Sequence, residues 1–227
     1  MAGTTSTTDR RRTAAQARRR AREREILDAT RALFDERGVR DAQIEDVARA
    51  VGVNRAIIYR HFSGKEELFA LTLVGYLDDL AAELRAVPTT GEPVDRVGAI
   101  TGAFVDFGLE HPAFVDCAQT LMRRPGPELL DEISESALFR LGRGIAGCLA
   151  VLTDALRAGN EAGDFKVPDV DLLANTLYAS GLGALQLARV GMVVKEVAPG
   201  IPAVEPLSPA QIKQHLVDTA LTFARAG

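Results

Sequence analysis

Apolar residues recur at helical spacing in the N-terminal third of the chain. The first clear stripe, with the i, i+4, i+7, i+8 spacing of one helix face, consists of Ile26, Thr30, Leu33 and Phe34. Gly38 predicts the end of this helix, because glycine is common just past a helix terminus. A second, shorter stripe consists of Ile44, Val47, Ala48 and Val51. Gly52 then interrupts the pattern, and Asn54 is a favourable N-cap for a third short helix that runs to about His61.

The same periodicity predicts helices through the rest of the chain. Ser63 and Glu66 have the spacing of a capping box, so a fourth helix is expected to begin there. A Pro- and Gly-rich loop is expected over residues 191–207, and Ser208 is the expected N-cap of the last helix. Alternating strand patterns are scarce, so the predicted class is all-α with about nine helices. The remaining helices are predicted at about 94–110, 113–123, 127–162 (with a break near Ser136 left open) and 169–190.

Composition narrows the class of protein. The 227 residues are 47% hydrophobic and 26% charged, as in globular chains. Cys117 and Cys148 are too few for a disulfide framework, so both are expected to be reduced and buried. The Thr- and Arg-rich N-terminus does not resemble a signal peptide. The longest apolar run, Leu172 to Leu187, contains polar residues and is shorter than the roughly 20 residues of a membrane span. A cytoplasmic protein without a membrane partner is therefore expected.

Charge is distributed unevenly along the chain. Residues 1–65, called the head below, carry 15 Lys and Arg against 9 Asp and Glu, a net charge of +6. Residues 66–227, called the body, carry 12 against 22, a net charge of −10. This separation predicts a polyanion partner for the head, while the acidic body would repel DNA.

The segment Val51-Gly52-Val53 joins two short helices and predicts a helix-turn-helix. Glycine suits the turn because it adopts positive φ without a Cβ clash. The second helix of such a motif lies in the major groove of DNA, with its N-terminal residues at base edges. Helical spacing predicts that Ile58 and Phe62 face inward. It predicts outward-facing side chains at Arg55, Ala56, Tyr59 and Arg60. Arginine can bind guanine through two hydrogen bonds and alanine can contact the thymine methyl group, whereas the tyrosine hydroxyl is expected on a phosphate.

The segment from Ile26 to Phe69 resembles the N-terminal domain of the TetR family of transcriptional regulators. The resemblance implies a three-helix helix-turn-helix domain followed by a helical-bundle domain that binds effectors and dimerises. It also implies that Tyr59 and Lys65 contact phosphates and that the short third helix reads bases. The resemblance rests on Ile26-x6-Leu33-Phe34-x3-Gly38, on Ile44-x2-Val47-Ala48-x3-Gly52-Val53, and on Ile58-Tyr59-x-His61-Phe62-Ser63-Gly64-Lys65-Glu66-Glu67-Leu68-Phe69.

Two departures from the family pattern bear on the operator sequence. Ala42-Gln43 stands where a Thr or Ser commonly caps the second helix, so Asp41 is a candidate cap and Gln43 a candidate backbone contact. Ile57 replaces a small or hydroxylated residue, which removes a hydroxyl contact to phosphate and permits an apolar base contact.

Three segments are expected: a flexible Arg-rich arm over 1–20, the DNA-binding domain over 21–67, and the effector-binding and dimerisation domain over 68–227. From about Ala14 onward the arm can extend the first helix. Its arginines either enter the minor groove and track phosphates or form a solvated tail, and the adjacent helix-turn-helix favours DNA contact. The candidate DNA-binding residues are Arg18, Arg19, Arg20, Arg22, Gln43, Asn54, Arg55, Ala56, Tyr59, Arg60, His61 and Lys65.

The body is expected to form a homodimer and to hold an effector. The last two helices are apolar on more than one face, and family analogy makes them a dimer interface, although burial within one subunit is the alternative. Candidate interface residues are Leu182, Leu185, Val217, Leu221 and Ala224. The family also implies an apolar effector cavity, although the same side chains would serve equally well as plain core. Its candidate lining is Phe104, Phe107, Phe114, Met122, Phe139, Leu152 and Tyr178.

The predicted function is sequence-specific regulation of transcription: a repressor released from a palindromic operator by a small apolar ligand. A non-specific, nucleoid-type DNA-binding protein that uses the Arg-rich arm is the alternative, and a protein-interaction module with a vestigial head is a third reading. An enzyme is not expected. His61, His111 and His215 lack metal-site spacing, no catalytic motif is present, and no cofactor is expected.

Overall fold

A computed structural model describes the backbone from Thr5 to Ala226 and the side chains from Arg10 onward. The first four residues of the predicted arm therefore lie outside the described residues. The described part is all-α with one added β-hairpin, which confirms the predicted class. Its elements are α1 (Thr5–Arg37), α2 (Ile44–Ala50), α3 (Arg55–His61), α4 (Lys65–Ala86), α5 (Pro93–Glu110), α6 (Pro112–Met122), α7 (Gly126–Glu132), α8 (Glu135–Ala162), α9 (Val170–Val190), β1 (Met192–Ala198), β2 (Ile201–Pro206) and α10 (Pro209–Ala226).

The head is the three-helix unit that the periodicity predicts. Ile26, Phe34 and Ile58 are at most 1% exposed and form its core. Gly52 has φ +66°, and the Val53 N–H donates to the Ala48 carbonyl across the turn at 2.9 Å. The predicted turn between α2 and α3 is therefore confirmed.

The caps of the two short helices differ in kind. The Asn54 side chain accepts a hydrogen bond from the Ile57 N–H at 3.1 Å, as predicted. At α2 the N-cap is Gln43, whose side chain makes no capping hydrogen bond. The prediction that Asp41 caps α2 is wrong, because the helix begins too late for its side chain to occupy the N-cap position.

The described part of the Arg-rich arm is helical. α1 contains 33 residues, so it is about 50 Å long, and every side chain from Arg10 to Ala21 is exposed. Alanine, arginine, glutamine and glutamate are strong helix formers, which accounts for a helix without a core of its own. α1 therefore projects its N-terminal half beyond the packed three-helix unit.

α4 joins the head to the body through a buried carboxylate. The capping box predicted at Ser63 and Glu66 is wrong: Gly64 is the N-cap, and the Ser63 N–H donates instead to Glu67 Oε2 at 2.6 Å. The second carboxylate oxygen of Glu67 accepts from the hydroxyl of Ser134. Burial raises the pKa of Glu67, but these hydrogen bonds outweigh it and leave the pKa below its usual value.

In the body, α5, α6 and α8 pack against α4, α9 packs against α5, α6 and α8, and α10 packs against α5 and α9. Ser134 caps α8 by accepting from the Ala137 N–H at 3.3 Å, which separates α7 from α8 within the helix predicted over 127–162, for which the sequence leaves a break near Ser136 open. The break lies slightly before Ser136. Because it divides one predicted helix into two, the described part has ten helices where about nine were predicted. Gly181 of α9 lies so close to α5 that a Cβ would be 2.6 Å from the Phe104 ring.

A β-hairpin replaces the loop predicted over 191–207. β1 and β2 pair antiparallel in a register that places Val194 opposite Val204, and Gly200 turns the chain at φ +75°. The prediction failed because two prolines within β2 and a bulge between Glu196 and Ala198 obscure the two-residue alternation of a strand.

Among the described helices, α8 is the one that is long and apolar enough, by length and composition, to cross a membrane. It packs against α4, α5 and α9, and its Arg140 forms an ion pair with Glu23 of α1 at 2.6 Å. α8 is therefore packed within the body and also contacts the head.

We expect Glu67→Ala to lower the free energy of unfolding by about 1–3 kcal/mol, because the Ser63 N–H and the Ser134 hydroxyl lose their acceptor. Since the folded-state pKa is lowered, the contribution of Glu67 is present above the ordinary pKa of 4.5 and disappears as the pH falls through the folded-state value.

Urea denaturation at pH 7 and at pH 4 measures both effects. Glu66→Ala is the matched control, because Glu66 forms only a partly exposed ion pair with Arg124 at 3.4 Å and should cost less than about 1 kcal/mol. Equal destabilisation by the two substitutions would contradict the role given to Glu67.

Candidate nucleic-acid interface and effector cavity

α3 presents an exposed polar face. Arg55, Ala56, Tyr59 and Arg60 are exposed, while Ile58 is 1% exposed and anchors the helix. This is the division predicted from helical spacing. The side-chain oxygen of Asn54 accepts the hydrogen bond that caps α3. Asn54 therefore stabilises the end of the helix that carries this exposed face.

Arg55 is held by two neighbours. Its Nη1 donates to Glu45 Oε1 of α2 at 2.7 Å, and its Nη2 donates to the Tyr59 hydroxyl at 3.0 Å. The guanidinium carbon also lies 5.2 Å from the centroid of the Tyr59 ring. These contacts raise the pKa of Arg55. Glu45 was absent from the predicted site; a hydrophobic pattern marks it only as a solvated residue of α2.

A basic cleft separates α1 from α3. Its volume is about 490 Å³, and its lining is Arg18, Arg19, Arg22, Val53, Ile57, Arg60 and His61. His61 Nδ1 is buried and has no hydrogen-bond partner. Burial lowers the pKa of His61, and the nearby Arg19 lowers it further. Four arginines and a neutral imidazole therefore meet around a space that is wide enough for an anion.

The remaining candidates surround this region. Arg20 is exposed on α1, and Gln43 is exposed at the start of α2. Lys65 begins α4, and its Nζ lies 5.0 Å from the centroid of the Phe69 ring. The structure thus brings Arg18, Arg19, Arg22, Arg60 and His61 together in one cleft. It distributes the other candidates over α1, α3 and the N-terminal ends of α2 and α4.

The body contains a small apolar cavity between α4, α5, α8 and α9. Three of the predicted lining residues are there: Phe104, Leu152 and Tyr178. The cavity volume is about 50 Å³, well below the roughly 300 Å³ of a typical small-molecule site. The sequence did not single out the other lining residues, which are Leu80, Leu84, Ile100, Thr101, Cys148, Leu149, Ala174 and Leu177.

Four predicted lining residues lie elsewhere. Phe107 and Phe114 are at most 1% exposed, and they pack edge to face with a centroid distance of 5.3 Å inside the core. Met122 is 54% exposed at the end of α6, and Phe139 is 69% exposed on α8. Helical spacing could not distinguish cavity-lining residues from core residues or exposed residues, because a residue's position on a helix does not show which neighbouring helix covers it.

Three of the five predicted dimer residues also need correction. Leu182, Leu185 and Ala224 are at most 1% exposed within one chain, so their side chains have no surface left for a partner. Val217 and Leu221 are half-buried, so their place in the interface stays a prediction. For Leu182, Leu185 and Ala224, the inward face of the helix was taken for its outward face.

The outward face of α9 carries a different stripe, called the α9 stripe below. At helical spacing along exposed positions it presents apolar, small or hydroxyl side chains and no charge. Its members are Leu172, Thr176, Ala179, Gly183, Leu187 and Val190. Phe223 of α10 is 53% exposed and lies beside Leu172 in a shallow apolar groove.

Neither a metal site nor a reactive thiol stands out. The residues with described side chains contain no group of three or more His, Cys, Asp or Glu positioned to hold a metal ion. Cys117 and Cys148 are free and buried, as predicted. Burial raises the pKa of both thiols, that of Cys148 to about 12, which keeps them protonated.

Comparison with known proteins supplies the family. Residues 26–72 match the model of the bacterial regulatory proteins of the tetR family. The HTH-type transcriptional repressor KstR2 of Mycobacterium tuberculosis (strain ATCC 25618 / H37Rv) is 30% identical over 157 residues, which cover 67% of this chain and 72% of KstR2. The chain belongs to the TetR family. It is therefore a DNA-binding transcriptional regulator, and the surface around α3 is its DNA-binding candidate.

Other relatives differ in regulatory sign and ligand. The HTH-type transcriptional activator FasR of Mycolicibacterium smegmatis is 35% identical over 88 residues, 38% of this chain and 40% of FasR. The solved structure of the ketosteroid transcriptional regulator KstR2 has a TM-score of 0.55 at 25% identity and covers 88% of this chain and 93% of that chain. RolR in complex with resorcinol has a TM-score of 0.64 at 17% identity, with coverage of 92% and 90%, and shares the fold.

If the basic cleft holds DNA phosphates, Arg19→Ala combined with Arg60→Ala should weaken binding to every duplex by a similar factor. The slope of log affinity against log salt is negative, and its magnitude should decrease by roughly 1.8, because each lost phosphate contact contributes about 0.9.

Fluorescence anisotropy across a salt series measures the slope. Arg143→Ala combined with Arg225→Ala is the control, because it removes two exposed charges from the body. An unchanged slope in the cleft variant, or an equal change in the control, would argue against phosphate binding in the cleft.

Proposed function

We propose that the chain is a repressor that binds a palindromic operator as a homodimer and leaves it when a small apolar ligand enters the body. The observation that carries the proposal is the exposed face of α3, with Arg55 and Arg60, beside a cleft lined by three further arginines. The unequal charge of the head and body supports contact with DNA at this face alone.

Within this proposal, residues 21–67 are the DNA-binding domain and residues 68–227 the effector-binding and dimerisation domain. Arg55 and Ala56 contact base edges, and Tyr59 and Lys65 contact phosphates, as the family resemblance implies. The helical extension over residues 5–20 follows the DNA backbone with its arginines. Because its partner is chromosomal DNA, we place the protein in the cytoplasm.

Dimerisation is assigned to the α9 stripe and Phe223, in place of the buried residues Leu182, Leu185 and Ala224. The small residues Ala179 and Gly183 permit close approach of a second α9, and a Cβ at Gly183 would meet no atom outside its own helix within 4 Å. A two-fold axis through this stripe pairs α9 and α10 with their counterparts in a four-helix arrangement. Two heads then face neighbouring half-sites.

The effector site is assigned to the cavity lined by Phe104, Leu152 and Tyr178. A cavity of about 50 Å³ admits no drug-sized ligand, so binding must separate the surrounding helices. Its aromatic walls suit a planar or ring-containing apolar compound, in line with the ketosteroid transcriptional regulator KstR2 and with the RolR complex with resorcinol. Repression is taken from KstR2, the relative with the longer match; FasR is an activator.

α4 and α8 provide the route from cavity to head. Leu80 of α4 and Leu152 of α8 line the cavity, and at the other end of the same helices Glu67 meets Ser134. Along α4, the cavity and this junction are about 20 Å apart. A ligand that moves α4 relative to α8 shifts the head only as far as its affinity differs between the two arrangements.

Capture of random duplex DNA by the purified protein at near-physiological salt, followed by sequencing, tests the proposal. We expect an enriched inverted repeat whose half-site centres are about 34–36 Å apart, one turn of DNA. Binding without enrichment would favour the non-specific, nucleoid-type alternative, which family membership and the acidic body do not favour.

Ala179→Glu tests the assigned dimer interface. The change places a charge in the middle of the α9 stripe, and we expect the protein to become monomeric and to lose at least about 10-fold in operator affinity, since a single head contacts one half-site. Sedimentation equilibrium measures the mass.

Ala82→Glu on the exposed side of α4 is the matched control and should remain dimeric. A dimeric Ala179→Glu protein would exclude the α9 stripe as the interface.

A further inference from the structure

Glu45 is an acidic residue on the part of the head that faces DNA. It lies in the first turn of α2, and its side chain is 51% exposed beside the first residue of α3, Arg55. A carboxylate here repels the phosphate backbone and lowers the affinity for any duplex. Glu45 therefore does not serve general attraction to DNA, and any role in DNA binding must be of another kind.

The geometry around Arg55 indicates such a role for Glu45. The arginine is exposed at the N-terminal end of α3, where a recognition helix reads base edges. Glu45 accepts from Nη1 at 2.7 Å, and the Tyr59 hydroxyl accepts from Nη2 at 3.0 Å. The two acceptors are anchored on different helices, so together they define both the position and the rotation of the guanidinium plane.

The donor count leaves the arginine free to read a base. A guanidinium has five N–H donors, of which these contacts use two. The three that remain suffice for two parallel hydrogen bonds to O6 and N7 of guanine. A side chain that is already ordered loses less conformational entropy when it binds, and a fixed plane tolerates fewer alternative acceptors.

We propose that Glu45 is a positioning residue that confers the guanine preference of Arg55 by holding its guanidinium in the reading orientation. The proposal rests on the proposed function, because it requires that α3 reads base edges. An isolated surface ion pair has little effect on stability, so the expected consequence concerns selectivity among DNA sequences and leaves folding almost unchanged.

The test compares wild type, Arg55→Ala and Glu45→Gln by selection from a randomised duplex library and sequencing. Arg55→Ala identifies the base pair that Arg55 reads, since the preference for guanine disappears there. We expect Glu45→Gln to weaken the preference at that same base pair by roughly 3- to 10-fold and to bind scrambled duplex more tightly than wild type. Preferences at the other positions should persist.

Glu36→Gln is the matched control: it removes one exposed negative charge from the head, at a residue whose ion pair is with Arg37. It should leave the preference at the Arg55 position intact. The thermal unfolding midpoint of each variant, compared with that of wild type, verifies that the fold is retained.

Three results would overturn the proposal. Glu45→Gln with an unchanged guanine preference and tighter binding would show that Glu45 only competes with DNA for Arg55. Loss of preference at a base pair that Arg55→Ala does not affect would show that Glu45 contacts a base itself, as carboxylates do with cytosine. If Arg55→Ala changes no position in an otherwise enriched site, Arg55 reads no base. By contrast, a wild-type protein that enriches no site would overturn the proposed function together with this inference.

Discussion

The carboxylate of Glu67 lies where three segments of the chain meet: the loop that follows the recognition helix α3, the first turn of α4, and the junction between α7 and α8. It accepts hydrogen bonds from the Ser63 N–H and the Ser134 hydroxyl, and the Ser63 hydroxyl donates to the Glu132 carbonyl at 3.2 Å. A buried acceptor that loses a donor costs free energy, so these partners constrain one another. The orientation of the head on the body depends on this small polar cluster.

Within the proposed function, the cluster also links the cavity in the body to the head. α4 and α8 both run from the cluster to the cavity, and the Arg140–Glu23 ion pair adds a second contact between α8 and the head. Because interiors are close-packed, a cavity of about 50 Å³ cannot accept a ligand without displacing one of these helices. In the proposed mechanism, the two contacts at the far end transmit this displacement to α1 and α3.

Sequence reasoning succeeded where the cause is local. The positive φ of Gly52, the cap at Asn54 and the outward face of α3 follow from neighbours within a few residues. It failed where partners come from distant segments. Leu182 and Leu185 have the same periodicity whether they face a second subunit or their own core, and nothing local tells that Gly108 of α5 lies against Leu185. The exposed α9 stripe is visible only once the inward face is known.

In the proposed dimer, contacts through α9 and α10 hold two heads one turn of DNA apart. Spin labels at Ala50→Cys measure this separation most directly, because Ala50 is exposed in the head and the native thiols are buried and protonated. With the captured operator bound, pulsed dipolar spectroscopy should give one narrow distance within several ångströms of about 34–36 Å. No dipolar coupling on the operator would mean one protomer per site and would contradict the proposed dimer.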